Sequence, residues 1–175
     1  MARDRTFKYQ ADQQNLFGDA IIELFQINLS TAIGGSGNPP IYFCNWEESN
    51  GTFVLFAGNQ YQPIPYQASG FSISNEGVLP NPQITISNVG LLPTGLANQY
   101  KDLLGTQVIR TRVLAKHLDN GSDPDALAKW PDETWFVQRK VAENKLFVTW
   151  ELSTPFDLDG VTIPKRRAKF VVNPI

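Results

Sequence analysis

The amino-acid sequence predicts a mainly β fold, either an antiparallel β-sandwich or a partly closed barrel, with one short α-helix. Segments rich in aliphatic and aromatic residues alternate with polar residues at a period of two, and turn-forming residues separate these segments. Only one segment carries the longer spacing of a helix. With 175 residues, of which 42% are hydrophobic, the chain is long enough to bury one core.

The first predicted strand covers residues 20–29. Its sequence, AIIELFQINL, is β-rich and places Ile21, Phe25 and Ile27 on one face. A loop rich in glycine and proline follows at 34–40, which ends the strand region.

Further strands are predicted at 41–46 and 52–56, with a third at 83–89 where apolar and polar residues alternate. The Asn50-Gly51 pair between the first two is typical of a tight hairpin turn. We therefore expect the strands at 41–46 and 52–56 to form a β-hairpin.

The stretch YQPIPYQASGFSIS, residues 61–74, is predicted to be an edge strand with a bend at Ser69-Gly70. Pro63 and Pro65 cannot donate to a strand ladder, so a regular central strand is excluded there. We expect three rings of this stretch to pack into the core or against a neighbouring subunit: Tyr61, Tyr66 and Phe71.

One helix is predicted, with Thr94 as its N-cap and Gly105 as its stop signal. Helical spacing places four apolar side chains on one face, namely Leu96, Tyr100, Leu103 and Leu104.

The segment 108–118 fits a strand better than a helix. A strand places Arg110, Arg112 and Lys116 on one face, and it places the apolar residues Ile109, Val113 and Ala115 on the other.

A second hairpin is predicted near the end of the sheet. Its strands are 135–141 and 145–152, and the turn is at Glu143-Asn144. The returning strand carries an apolar face with Trp150 at its centre, which predicts a core position for this ring.

The domain organisation expected from the sequence is a polar N-terminal arm, residues 1–16, followed by a single β-rich domain, residues 17–175. The formal net charge of −2 argues against a generally basic nucleic-acid-binding protein. No apolar run is long enough to cross a membrane, and the polar start has no apolar core of a secretion signal.

The residues that could carry chemistry form no recognisable catalytic or metal site. His117 is the only histidine, and a structural or surface role is expected for it. Cys44 lies in an aromatic strand, so we expect a buried, inert thiol. The stretch 157–160 begins like a calcium loop, but Ala168 stands where the bidentate glutamate is required. The acidic residues lie on different elements, and the sequence alone brings no two of them together.

Three stretches in the same order resemble the minor tail protein L family of lambda-like siphophages. The first, 68–92, has an Ala-Ser-Gly-Phe start, a Gly-x-Leu-Pro-x-Pro middle and an Asn-Val-Gly end. The second, 99–119, is similar in its Tyr-x-Asp-Leu-x-Gly step and its Arg-x-Arg run. The third, 137–168, is similar in its Arg-Lys-x-x-Glu hairpin and its Asp-Leu-x-Gly-x-x-x-Pro-x-Arg close.

The resemblance implies a structural subunit of the siphophage tail tip or baseplate, without catalysis. Such a subunit joins the distal tail tube region to the central hub or fibre protein. The implied partners are the distal tail protein, the hub or fibre protein, and further copies of this chain in a ring, with a trimer as a candidate stoichiometry. Assembly in the host cytoplasm and a final place at the virion tail tip follow, with no specific nucleic acid and no membrane anchor.

The candidate subunit-interface residues are cations and two tyrosines. We expect Arg110, Arg112, Lys165, Arg166 and Arg167 to meet acidic groups of neighbouring subunits, where they would fix the register of the contact. Tyr61 and Tyr66 complete the candidate set.

The family resemblance also implies a cofactor outside this chain. Its members continue into a cysteine-containing C-terminal region linked to an iron–sulfur cluster. With one cysteine, this chain cannot itself supply the usual four thiolates, so no cofactor is expected in it. We expect a longer natural protein whose additional C-terminal segment holds a 4Fe-4S cluster.

Two other functions stay open at this level. A carbohydrate-binding or host-surface recognition β-module would need an exposed row of aromatic rings around a groove. A cell-wall hydrolase would need two carboxylates about 5–10 Å apart in a cleft.

Overall fold

The computed structural model describes residues 19–46, 53–71 and 81–154, which form nine strands and one α-helix. The strands are β1 Ile21–Asn28, β2 Ile41–Cys44, β3 Val54–Phe56, β4 Asn59–Pro63, β5 Tyr66–Ser69, β6 Gln83–Ser87, β7 Gln107–Leu114, β8 Glu133–Glu143 and β9 Phe147–Ser153. The helix, α1, is Leu92–Gln99, and short 3-10 turns lie at Leu29–Thr31, Val89–Leu91, Lys101–Leu103 and Ala115–His117. The predicted N-terminal arm and the stretch 157–160 lie outside these residues.

The nine strands form one sheet in the order β3-β4-β2-β1-β7-β8-β9-β6-β5. Every pairing is antiparallel except that of β2 with β4. Among the described strands the sheet has two edges, β3 and β5, and does not close into a barrel. The sheet folds over instead, because the ring of Phe25 on β1 contacts that of Tyr66 on β5 at 4.9 Å between centroids. The predicted mainly β class is therefore confirmed, and the arrangement is consistent with a sandwich rather than a barrel.

Apolar side chains cover both faces of the sheet around β1. Phe25 and Ile27 belong to the larger cluster between the layers, which also contains Trp150. Ile22 and Leu24 belong to a second cluster on the opposite face. The predicted core position of Trp150 is confirmed. On the β1 face predicted from alternation, Phe25 and Ile27 are buried, whereas Ile21 is 57% exposed at the strand end.

The strand β3 pairs with β4 rather than with β2, so the hairpin predicted at Asn50-Gly51 is wrong. The hairpin turn is Ala57-Gly58, and both residues have positive φ, at 52° and 75°. Positive φ at both central residues is what a tight type I′ turn requires. The two carboxylate oxygens of Asp119 accept the turn's N–H groups at 3.0 and 2.9 Å. This distant carboxylate stabilises a turn that alanine alone does not favour.

Helix α1 begins two residues before the predicted cap and ends at Gln99, five residues before Leu104. Proline in its first turn has the fixed φ that a helix start requires. Thr94 therefore lies inside the helix, where its hydroxyl donates to Glu143 Oε1 at 2.8 Å. Gly105, the predicted stop signal, has φ 70°. Of the apolar face predicted for the helix, Tyr100 and Leu103 are buried and Leu104 is exposed.

The segment between α1 and β7 has an unusual backbone. Lys101, Asp102 and Leu103 have φ of 49°, 60° and 60°, which is the left-handed region that L-residues avoid. The turn is held by its neighbours. Lys140 Nζ donates to Asp102 Oδ1 at 2.5 Å, and Trp150 Nε1 donates to the carbonyl oxygen of Asp102 at 3.1 Å.

The predicted strand at 108–118 is confirmed as β7, which ends at Leu114 before Lys116. Of the two faces predicted for β7, the apolar one is as expected, but the one that carries Arg110 is not simply an exposed polar face. Val113 is buried in the second cluster as expected. Arg110, however, lies directly opposite Phe25 on β1 and therefore shares the interior face of the sheet. The predicted polar face is thus in part an inward face.

The hairpin of β8 and β9 is confirmed, with a longer first strand than predicted. Val148, Trp150 and Leu152 are buried on β9, while Leu146 is 76% exposed because it lies in the turn. None of the described helices is long and apolar enough to span a membrane.

The stretch from Tyr61 to Phe71 has one central strand and one edge strand. β4 lies between β3 and β2, which corrects the prediction of an edge for its first half. Pro63 is tolerated because it is the last residue of β4. β5 is the predicted edge strand, and the bend at Gly70, with φ 81°, is confirmed. Residues 72–74 lie outside the described part of the chain.

Candidate interaction site

Three neighbouring strands bring four charged side chains together. In the strand register, Glu23 on β1 lies opposite Arg112 on β7, and Arg110 on β7 lies opposite Glu133 on β8. Residues directly opposite each other in an antiparallel pair project from the same face of the sheet. The register therefore places two arginines and two glutamates side by side, and we call these four residues the charge cluster.

Arg110 is the centre of the charge cluster. Its guanidinium forms ion pairs with Glu23 through Nη2 and with Glu133 through Nη1, the latter at 3.0 Å. Its side chain is only 12% exposed, and its guanidinium carbon lies 4.5 Å from the ring centre of Phe71. Burial by itself lowers the pKa of Arg110, but the hydrogen bonds with Glu23 and then Glu133 raise that pKa above its ordinary value. The cation at this position is therefore permanent.

Arg112 is the more accessible of the two arginines. Its side chain is 36% exposed and donates to Glu133 Oε1 at 2.8 Å. Its guanidinium carbon lies 6.0 Å from the ring centre of Trp130. Within the described residues both predicted interface arginines have partners inside the chain, and their contact with other subunits stays a prediction.

Tyr61 and Tyr66 both pack inside the chain. Of the two outcomes expected for them, the structure shows packing in the core rather than against a neighbouring subunit. Tyr61 is buried in the second cluster, where its ring meets that of Tyr42 at 5.1 Å. Tyr66 packs against the larger cluster, and its hydroxyl donates to the carbonyl oxygen of Glu23 at 3.2 Å. Burial raises the pKa of both phenols, so both remain neutral at physiological pH. Phe71 joins the same cluster.

An open cleft of about 310 Å³ lies next to the charge cluster. It separates β5 from the adjacent ends of β1 and β2. Its lining is Ile21, Ile22, Glu23, Asn45, Trp46, Tyr66 and Ala68. Trp46 is 40% exposed there. The sequence pattern did not indicate this cleft, because its walls come from three strands that are distant in sequence.

Two further residues for which a role was predicted, Cys44 and His117, are both buried. Cys44 is buried, its Sγ donates to the carbonyl oxygen of Trp46, and burial raises the pKa of its thiol, as expected for an inert position. His117 is buried, with Nδ1 at 2.9 Å from the carbonyl oxygen of Asp123, which fits a structural role. The basic residues 165–167 lie outside the described part of the chain.

Among the described residues, no group of three His, Cys, Asp or Glu side chains could hold a metal ion. The fold brings carboxylates together in pairs that share a cation: Glu23 and Glu133 both accept hydrogen bonds from Arg110, and Asp102 and Glu143 both accept from Lys140. Sequence reasoning could not pair Glu23 with Glu133, because their strands lie far apart in sequence and only the register of β1 and β8 against β7 brings them to Arg110.

Comparison with known proteins gives two findings. The model of the family described as phage minor tail protein L matches residues 31–171. The chain is also similar to tail tip protein L of Escherichia phage lambda, with 32% identity over 152 residues. That alignment covers 84% of this chain and 64% of the relative, so the chain spans less than two thirds of the relative's length.

Proposed function

The chain belongs to the phage minor tail protein L family, and from this membership we propose that it joins the distal tail tube region to the central hub or fibre protein. Membership makes the chain a structural component of the virion tail. The observation that carries the proposal is the extent of the family match. It covers residues 31–171, which include every described strand except β1.

The proposed role involves no catalysis. A hydrolase of the two-carboxylate type needs one free acid and one free base flanking a bond. The candidate pair Glu23 and Glu133 would have to abandon Arg110 before either could serve, and this would leave a nearly buried cation without a partner. The geometry favours a structural ion-pair cluster that locks β1, β7 and β8 together.

The proposed partners are the distal tail protein, the hub or fibre protein, and further copies of this chain in a ring, with three copies as the candidate stoichiometry. Arg112 supports a contact role because its guanidinium is partly accessible. A recognition module for carbohydrate finds less support, since Trp46 is exposed in the cleft, Tyr61 is buried, and the ring of Tyr66, which also lines the cleft, packs against Phe25 and Phe43.

A 4Fe-4S cluster in a further C-terminal segment of the natural protein remains part of the proposal. It predicts that the protein from purified virions exceeds the 19.5 kDa of this chain and that the sample contains iron. A virion protein of the present length would contradict the longer chain, and a longer protein without iron would contradict the cluster alone.

Antibody labelling of purified virions tests the proposed location. An antibody against this chain should decorate the distal end of the tail in electron micrographs and should leave heads unlabelled. Label along the tail shaft, or none on virions, would contradict the proposal.

Charge reversal tests the proposed subunit contacts. The double variant Arg166→Glu, Arg167→Glu should lower the yield of assembled tails while the melting temperature of the isolated chain stays nearly unchanged, because interface charges mainly set register and encounter. Normal assembly of this variant would contradict the contact role of the cations.

A further inference from the structure

We propose that the cleft beside β5 accepts an extended segment of a neighbouring polypeptide, which adds a strand to the free edge of β5 through main-chain hydrogen bonds. The proposal rests on the proposed function only in taking that neighbour to be another subunit of the tail. The free edge, the position of the cleft and the composition of β5 each support it.

The hydrogen-bond register leaves one edge of β5 unpaired. The N–H of Ser87 donates to the carbonyl oxygen of Pro65 at 2.9 Å. Because antiparallel ladders alternate, Gln67 and Ser69 then direct their main-chain groups towards β6, and Tyr66 and Ala68 direct theirs outwards. No described residue pairs with β5 on that outer side.

The cleft follows this same edge. Of the β5 residues, Tyr66 and Ala68 line it, and these are the two whose main-chain groups point outwards. One end of the gap is closed by Ile64-Pro65, since the N–H of Ile64 donates to the carbonyl oxygen of Cys44 on β2 at 3.0 Å. Asn45 and Trp46, which follow Cys44 along the chain, line the cleft opposite Tyr66 and Ala68, and the cleft is open to the surface.

The edge is short but lacks the charge, proline and bulges by which sheets commonly exclude an additional strand. Natural edge strands carry charged residues, prolines or bulges that prevent pairing with another chain. β5 reads Tyr-Gln-Ala-Ser, without charge or proline, and its pairing with β6 is regular. The prolines Pro63 and Pro65 precede β5 and protect only the chain before it.

The lining defines the chemistry of the incoming segment. Ile21 and Trp46 offer exposed apolar surface to alternate side chains of a strand. Glu23 is the charged side chain of the lining; its Oε1 is bound to Arg110, and its Oε2 accepts no hydrogen bond from a described residue. A segment with alternating apolar residues and one basic residue facing Glu23 fits this cleft, a pattern of strand addition in which main-chain bonds supply affinity.

Residue-resolved hydrogen exchange of the wild-type chain, alone and in purified tails, tests the proposal without any variant. In the isolated chain the N–H groups of Gln67 and Ser69 should be protected and those of Tyr66 and Ala68 should exchange quickly. In tails the protection of Tyr66 and Ala68 should rise by about tenfold or more. Unchanged exchange in tails would overturn the proposal. Protection already present in the isolated chain would also overturn it, because a segment of the same chain would then fill the cleft.

A proline pair provides the second test. Ala68→Pro removes an outward N–H and no bond to β6, so it should lower the melting temperature less than Gln67→Pro does, while lowering incorporation into tails by about tenfold or more. Gln67→Pro removes an N–H bonded to β6 and should lower the melting temperature. Normal incorporation of Ala68→Pro, or equal destabilisation by both variants, would overturn the proposal. If the wild-type chain were absent from tails, the proposed function would fail instead.

Discussion

Removing the charge of Arg110 should destabilise the isolated chain strongly, because its cation compensates two carboxylates inside the fold. In Arg110→Met the side chain keeps an unbranched apolar stem but loses the guanidinium, so Glu23 and Glu133, 31% and 26% exposed, lose their common partner. Breaking a fully buried pair costs about 3–5 kcal/mol, and the partial exposure of both glutamates reduces this to about 2–4 kcal/mol. For a domain of this size the melting temperature should fall by roughly 4–16 °C.

Thermal unfolding followed by circular dichroism measures this change, and Arg112→Met is the matched control. Arg112 is 36% exposed and pairs only with Glu133 among the described carboxylates, so its loss should cost at most about 1 kcal/mol. Equal melting temperatures for wild type and Arg110→Met would refute the reasoning and would leave Arg110 free to act at a subunit contact alone.

Three further predictions concern the turns and the pH response. Lys101→Gly should stabilise the chain by about 0.5–1 kcal/mol in denaturant unfolding, because glycine adopts the left-handed φ of 49° without strain. Alanine does not relieve this strain, so an equal gain with Lys101→Ala would rule out backbone strain as the cause. Asp119→Ala should cost about 1–2 kcal/mol by removing the acceptor of both N–H groups in the Ala57-Gly58 turn, and an unchanged denaturation midpoint would contradict this. The hydrogen bond from Lys140 holds the pKa of Glu143 below its ordinary value, so the carboxylate's contribution to stability is present above the pKa of the unfolded chain and is lost as pH falls through the pKa of the folded chain. Glu143→Gln should therefore lose less stability than wild type on acidification, and identical acid unfolding curves would refute this.

The parts of the fold that the sequence predicted are those set by local pattern. Alternation along β9 places Val148, Trp150 and Leu152 in the core, and Pro65 before β5 marks the start of an edge strand. A period of two and the missing N–H of proline are properties of the residues themselves, so they can be read without knowing which strands are neighbours.

Strand pairing was predicted less well because it depends on distant residues. The turn Ala57-Gly58 needs the carboxylate of Asp119, 62 residues away from Ala57 in sequence. The Asn50-Gly51 pair carried the stronger local signal but connects strands that are not neighbours. Local turn chemistry therefore identified a hairpin at the wrong place.

The charge cluster was hidden for a similar reason. Alternation along β7 groups Arg110 with Arg112 as a polar face, and a polar face is normally exposed. Arg110 is nevertheless on the interior face because Glu23, 87 residues earlier, and Glu133 compensate its charge. Only the register of β1 and β8 against β7 reveals that compensation.

The measurement that tests the central claim most directly is a cryo-electron microscopy map of the intact virion tail at a resolution that separates strands. The account predicts that the nine-stranded fold fits density at the distal end, in a ring between the tail tube and the central hub or fibre protein, with an additional strand from a neighbouring chain beside β5. A map in which no distal density fits this fold, or in which the fold lies elsewhere in the virion, would contradict the account.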